Sequence, residues 1–428
     1  MTEKPTPLAH RMARMVGRDP TEAHRAATPL ELLFDLTFVI AFGIASNELA
    51  HFLADDHLAA GIGGFLFAVF AISWAWINFS WFASAYDTDD WLFRLLTMVQ
   101  MVGVLILALG LPAMFDSLEH GLHVDNGVMV LGYVVMRVPM VFQWARAARQ
   151  DPGRRSACLA YIVTILVAQV GWVALLFAHT TILATFTIAG VLILVELAGP
   201  VIAETRYGGT PWHARHIAER YSLMVIITLG EGLIGTMATL TALVGPDGPG
   251  WSVDVALVGL AGTALIFGMW WTYFIVPSAE VLAARRERGF GWGYGHIPLF
   301  GAIVAVGAGL HTAAFLIDGE SALGSVATVT AIAIPAAIFV AIVYSMFSSL
   351  TRSVDPFHVA LLAGTGGVLV ASVGVAAAGA SIGWCLLVLA AAPWVSVLGY
   401  EIRGHRHVEE VLARLPAGAA RGEVASRR

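Results

Sequence analysis

Four ionisable side chains fall well inside long apolar runs: Asp35, Arg137, Glu196 and Glu231. A guanidinium at the centre of a membrane helix costs roughly 2.5–3.5 kcal/mol or more to insert, and pairing with a carboxylate offsets part of that. Counted from the inner ends of their runs, Arg137 and Glu196 lie at similar depth, about 12–14 Å from the interface at a helical rise of about 1.5 Å per residue. An Arg137–Glu196 pair is therefore expected, with Asp35 or Glu231 as competing partners. Such a pair is either a static clamp between helices or a gate or proton relay whose charges separate during transport. Glu231 stands mid-run in Leu229-Gly-Glu-Gly-Leu233, with Gly235 beyond. Flanking glycines can interrupt a membrane helix and expose carbonyls to an ion. Alternatively, Gly232 and Thr236 form a small-residue packing face and Glu231 bonds a neighbour. A desolvated carboxyl at this depth is a candidate for proton coupling.

Other groups have competing structural explanations. Thr28-Pro29-Leu30-Glu31 has the form of a capping box, with Glu31 reaching back to the cap amide. Asp35 lies one turn further on the same face, and two carboxylates there repel unless a cation, a shared proton or an arginine relieves them. That makes Asp35 the better functional candidate. Glu48 and His51 share a face ahead of Asp55, Asp56 and His57, an acidic mouth that concentrates cations or a solvated loop. His213, His216 and Glu219, next to Arg220, are spaced for one helical face, but no fourth ligand is evident and no metal site is expected. Asp87, Asp89 and Asp90 cluster between two runs, where a metal or partner site competes with plain solvation. His405 and His407, among arginines near the C-terminus, are expected to be solvated. No phosphate loop, zinc-protease motif or nucleophile elbow occurs, and no cofactor is implied.

The elements that position these groups are membrane spans. The chain has 428 residues, 58% hydrophobic and 13% charged, with mean hydropathy +0.77, whereas a soluble domain carries roughly 25% charged residues. Runs long enough to cross a bilayer as helix occur at 30–53, 62–82, 91–112, 126–146, 156–178, 181–204, 217–242, 252–276, 296–317, 326–350, 357–378 and 381–402. The gaps 54–61, 113–125, 179–180, 243–251, 318–325 and 379–380 contain no Lys or Arg, and all of the 24 basic residues except Arg137 fall in the alternate gaps, their flanks and the termini. Basic loops stay in the cytoplasm, so twelve spans put both termini inside. The fold class is an all-α polytopic membrane bundle, with residues 1–29 and 403–428 as cytoplasmic tails. Nucleic-acid binding has no support; the expected partners are lipid and a small solute, proton or cation, and the oligomeric state is open. Cys158 and Cys385 show no paired spacing, so neither a disulfide nor a thiolate site is indicated. Trp91, Trp144, Trp212, Trp251, Trp292 and Tyr400 lie near span ends and are expected as interface anchors, while Trp74, Trp76, Trp270 and Trp271 are deeper and expected in helix packing.

The two halves look duplicated. Thr28-Pro-Leu-Glu31 opens the first run and Ala218-Glu219-Arg220 the seventh; Trp74-Ala-Trp76-Ile-Asn-Phe79 resembles Met269-Trp-Trp271-Thr-Tyr-Phe274; Asp151-Pro152 and Asp355-Pro356 follow the fourth and tenth. An even number of spans per half gives parallel repeats, 30–204 and 205–402, with a functional cavity between halves.

Three segments carry a family resemblance: Ala27-Thr-Pro-Leu-Glu-Leu-Leu-Phe-Asp-Leu-Thr-Phe-Val39, the Trp-rich second run into Tyr86-Asp-Thr-Asp-Asp90, and His216-Ile-Ala-Glu-Arg-Tyr-Ser222 with Ile227-Thr-Leu-Gly-Glu231. The chain resembles the bacterial low temperature requirement A family over about residues 25 to 400. The resemblance implies a multi-spanning inner-membrane protein linked by name to growth in the cold, with no settled reaction or substrate. The first-repeat counterpart of Glu231 is Gly43, so the halves are not chemically equivalent. Three functions follow as expectations: a proton- or cation-coupled transporter or channel, a membrane-embedded enzyme acting on lipid or envelope precursors, or an accessory protein for growth in the cold.

Overall fold

The structure is a computed structural model that describes residues 12–22, 25–245 and 250–413. Lys4 and Arg11 of the N-terminal tail, and residues 414–428 of the C-terminal tail, lie outside the described residues. The described chain is helical with no strand, and twelve helices are long and apolar enough to cross a membrane. They are α1 (Pro29–Ala54), α2 (Leu58–Tyr86), α3 (Trp91–His120), α4 (Gly127–Gln150), α5 (Pro152–Phe177), α6 (Ile182–Arg206), α7 (Ala214–Val244), α8 (Val253–Ala284), α9 (Arg286–Asp318), α10 (Ser325–Thr351), α11 (Pro356–Ala377) and α12 (Ile382–Ala413).

Helix starts follow local chemistry. The capping box at α1 is formed: the Thr28 amide donates to Glu31 Oε2 at 2.8 Å and the Glu31 amide to Thr28 Oγ1 at 3.3 Å. Asp90 and Asp355 cap α3 and α11, accepting from the amides of Phe93 at 2.9 Å and Phe357 at 3.0 Å. Three expected boundaries shift. Leu111–His120 is helical, because Pro112 near the start of this second piece of α3 fits the first turn of a new helix after Gly110. The helix of α9 begins at Gly289 and runs through Pro298. In α12 a π-helical turn, Tyr400–Gly404, leads into a last helical segment, His405–Ala413.

The chain forms two compact units, one of Met1–Ala41 with Trp74–Ile217, the other of Phe42–Ser73 with Ala218–Arg428. In the first, α3 packs on α4, α4 on α5 and α5 on α6. Small residues permit the α3–α4 approach: a Cβ on Gly103 would lie 2.7 Å from the Gly132 carbonyl oxygen. Residues 12–22 and 25–28 of the expected tail are tied to this unit. The Ala13 amide donates to Asp90 (3.1 Å), the Met15 amide to Gln150 (2.6 Å), the Gly17 amide to Asp151 (3.1 Å), and the Arg18 amide to the Ala85 carbonyl (3.0 Å). In the second unit α10 packs on α9, α12 on α8, and α11 on α10 and α12. The most enclosed helix is α9, whose Gly301, Gly307 and Gly309 admit close neighbours.

Three expected interface anchors are instead core residues. Trp144 stacks on Tyr161 (4.2 Å between centroids, 5°), Trp212 lies 4.8 Å from Trp81, and Trp292 packs on Tyr221 and His296. All three are buried, whereas Trp91 and Trp251 are exposed as anchors require. Trp270 and Trp271 are partly exposed, yet Trp271 packs edge to face on Trp394 of α12 at 5.9 Å, as expected of a packing residue, while Trp270 lies against Phe274 of its own helix.

Candidate functional site

The expected Arg137–Glu196 pair is present, with a guanidinium nitrogen 3.0 Å from Glu196 Oε2 and both side chains buried. Two indoles complete the carboxylate. Trp74 donates to Oε2 and Trp172 donates to Oε1 at 3.3 Å, while the guanidinium carbon lies 4.9 Å from the Tyr133 ring centroid. One carboxylate thus joins α2, α4, α5 and α6. Three N–H donors on a buried carboxylate give it the geometry of a clamp, because separating the charges strands both in apolar surroundings. Trp76, two residues beyond Trp74 and so on the opposite side of α2, donates to Asp35 Oδ1 of α1 at 2.7 Å. The paired tryptophans of the second span therefore serve two different buried carboxylates, a role beyond packing.

Glu31 has more than its cap. Arg25 approaches it at 3.8 Å and His216 Nε2 at 3.2 Å, all three being buried. Arg25 also donates to the carbonyls of Ala83 (2.6 Å) and Ser84 in the last turn of α2, and lies 3.9 Å from Asp87. A cation there satisfies carbonyls the helix end leaves open. Burial pushes the Asp87 carboxyl up to about 6, with Glu31 adding to the rise and Arg25 opposing it. Burial also lowers Arg25 below the ordinary guanidinium value, against the pull of Glu31. This Arg25–Glu31–Asp87–His216 cluster escaped sequence reasoning, since the sole local signal was a basic residue three positions before the capping box.

The acidic trio does not converge on a metal. Asp89 pairs with Arg94 at 2.7 Å, Asp90 caps α3 and is bridged by Arg146, and Asp87 faces Arg25. His213 spends both ring nitrogens as well: Nδ1 accepts from the His216 amide at 3.1 Å and Nε2 donates to the Glu22 carbonyl at 2.9 Å. Arg220 is fully buried and Glu219 half-buried in α7. Exposed His51 lies 4.7 Å from the Phe315 ring, Glu48 is half-buried, and Asp55, Asp56 and His57 are solvated. Both cysteines are free and buried.

Glu231 differs from the other buried acids. It lies within α7, which is unbroken from Ala214 to Val244, so of the two readings of its glycines the interrupted helix is excluded. Its glycines act in packing: Gly232 abuts Ile266 of α8, and a Cβ on Gly235 would sit 2.5 Å from the Gly307 carbonyl oxygen of α9. The Glu231 carboxylate lies against Gly43 of α1, where a Cβ would come within 3.2 and 3.3 Å of its two oxygens. Only 5% exposed, the Glu231 side chain makes no hydrogen bond or ion pair with a described residue.

A chain whose described residues form twelve bilayer-length helices, with Arg137 and Glu196 buried and paired within them, is a polytopic integral membrane protein. The sequence model of the bacterial low temperature requirement A proteins matches residues 26–393, and the chain belongs to that family. It is similar to the uncharacterized protein RA0937 of Rhizobium meliloti (strain 1021), 26% identical over 320 residues, which are 71% of this chain and 73% of that protein. No solved structure matches it.

Proposed function

We propose that this protein is a proton- or cation-coupled transporter or channel of the bacterial inner membrane, and that Glu231 is the group that exchanges the proton or cation. The observation that carries this reading is the contrast among buried carboxylates. Glu196, Asp35 and Glu31 each have N–H donors or cationic partners, whereas Glu231 is buried mid-span without one. Burying an ionised group unpaired is too costly to persist, so Glu231 must hold a proton or bind a cation. Gly43 presents no side chain to the Glu231 carboxylate, which leaves room beside it for a proton or cation.

In the same proposal both termini are cytoplasmic, supported by the alternation of basic loops. The chain is two parallel six-helix repeats, supported by the contact of Gly43 with its second-repeat counterpart Glu231. Equivalent positions meet where a twofold axis passes between them. The test is ion flux driven by a pH gradient or by voltage in liposomes, comparing the wild type with Glu231→Gln matched for thermal stability. Flux in the wild type that the substitution abolishes supports the proposal; equal flux in both, or none in either, overturns it.

A further inference from the structure

The start of α11 and the last segment of α12 build a second chemical site, which does not rest on Glu231. Asp355 uses Oδ1 to cap α11. Its Oδ2 is left 3.8 Å from His407 Nδ1. His358 follows three residues after Asp355, on the same helical face. The rings of His358 and His407 stand 5.2 Å apart at 86°, so the two imidazoles meet edge to face. Asp355, His358 and His407 place one ligand-type atom each within 4.8 Å of one another, and they are the one such group of three among the described residues.

Two further observations point to a ligand. His407 Nε2 is buried and has no hydrogen-bond partner, which corrects the expectation that this histidine is solvated. His358 also lines a small cleft with Tyr344, Ser396, Tyr400 and Val408. The π-helical turn Tyr400–Gly404 sets the face on which His407 emerges, since widening one turn rotates the helix after it by about 100°. Ring packing on Tyr344 and Phe347 holds the His358 imidazole beside the pair, and a plain His–Asp ion pair leaves His407 Nε2 unaccounted for.

We propose that Asp355, His358 and His407 form a three-ligand site for a divalent transition metal of the zinc class, with a fourth position for water or an exogenous ligand. Imidazole nitrogen and carboxylate oxygen bind Zn²⁺ at about 2.0–2.2 Å, which spaces tetrahedral neighbours about 3.3–3.5 Å apart. The three ligand-type atoms lie within 4.8 Å of one another, and side-chain rotation closes them to that spacing. Two imidazoles and one carboxylate disfavour Mg²⁺ and Ca²⁺, which take oxygen ligands. A bound ion ties His405–Ala413 to the start of α11.

The test uses the purified full-length protein in detergent micelles, stripped with chelator and titrated with Zn²⁺ alone by calorimetry and with Co²⁺ alone by visible absorption. The expected result is one ion per chain, the intense bands of four-coordinate Co²⁺, and a thermal midpoint that rises with Zn²⁺. His407→Gln, at a half-buried position near the chain end, is expected to retain the fold and weaken binding by about tenfold or more. His358→Gln is expected to do the same, and His405→Gln to leave binding intact. No binding, binding undiminished in His407→Gln, or equal loss in His405→Gln overturns the site.

Discussion

Replacing either partner of the Arg137–Glu196 pair separates two accounts of it, because the partners are unequally supported. In Glu196→Gln the guanidinium stays charged and buried beside the Tyr133 ring with no countercharge, and the amide NH₂ must face either the Trp172 donor or the Arg137 and Trp74 donors. Removing one member of a buried pair costs about 3–5 kcal/mol, and this substitution is expected at that level. In Arg137→Gln the carboxylate keeps both indole donors, and hydrogen bonds to a charged group are worth about 1.5–3 kcal/mol each. That loss is expected to be smaller, about 1–3 kcal/mol on the same reasoning. The double substitution removes both charges and is expected to recover part of the loss, with a coupling energy of about 2 kcal/mol. Unfolding of the four proteins in one mixed-micelle system, followed by tryptophan fluorescence, measures the cycle. Additivity within about 0.5 kcal/mol, or a larger loss in Arg137→Gln than in Glu196→Gln, refutes the clamp. So does an Arg137→Gln protein that is as stable as the wild type but has lost its flux, the outcome a gate predicts.

Two more results follow from the same geometry. Gly307→Ala places a Cβ 2.9–3.0 Å from the backbone carbonyl of Glu231, which cannot yield, so thermal unfolding should show a loss of about 1–3 kcal/mol. Gly43→Ala meets the mobile end of the Glu231 side chain, so it should melt within about 1 kcal/mol of wild type while its flux changes. Asp87 gives a pH dependence of defined sign. Its carboxyl is raised from 3.8 to about 6 in the folded state, so its contribution to stability is complete below pH 3.8 and is lost as pH rises through 6. The change is about 3 kcal/mol, and denaturation curves of Asp87→Asn against wild type across that window should show it removed.

The spans were legible because hydropathy and basic-loop alternation are properties of contiguous sequence. The Arg137–Glu196 pair was legible because depth can be counted along helices of fixed rise. The indole donors were not, since Trp74 lies 122 residues from Glu196 and Trp76 lies 41 from Asp35, and no local pattern links them. Nor was the burial of Trp144, Trp212 and Trp292. Position near a span end is the same for an anchor and for a core residue, and neighbouring helices decide between them. The glycines around Glu231 suggested a broken helix because their weak helical propensity is local, whereas the close approach of α8 and α9 that keeps α7 continuous is tertiary. His407 was read from its arginine neighbours, but a histidine and an aspartate about 50 residues earlier set its environment.

As a coupling group, Glu231 is expected to change its proton or cation as the protein works. Infrared difference spectroscopy of the reconstituted protein across a pH step or on cation addition observes that carboxyl directly. The expected result is a protonated-carboxyl band that appears or disappears with the step and is missing from Glu231→Gln. A difference spectrum without a carboxyl band, or one unchanged by the substitution, contradicts it.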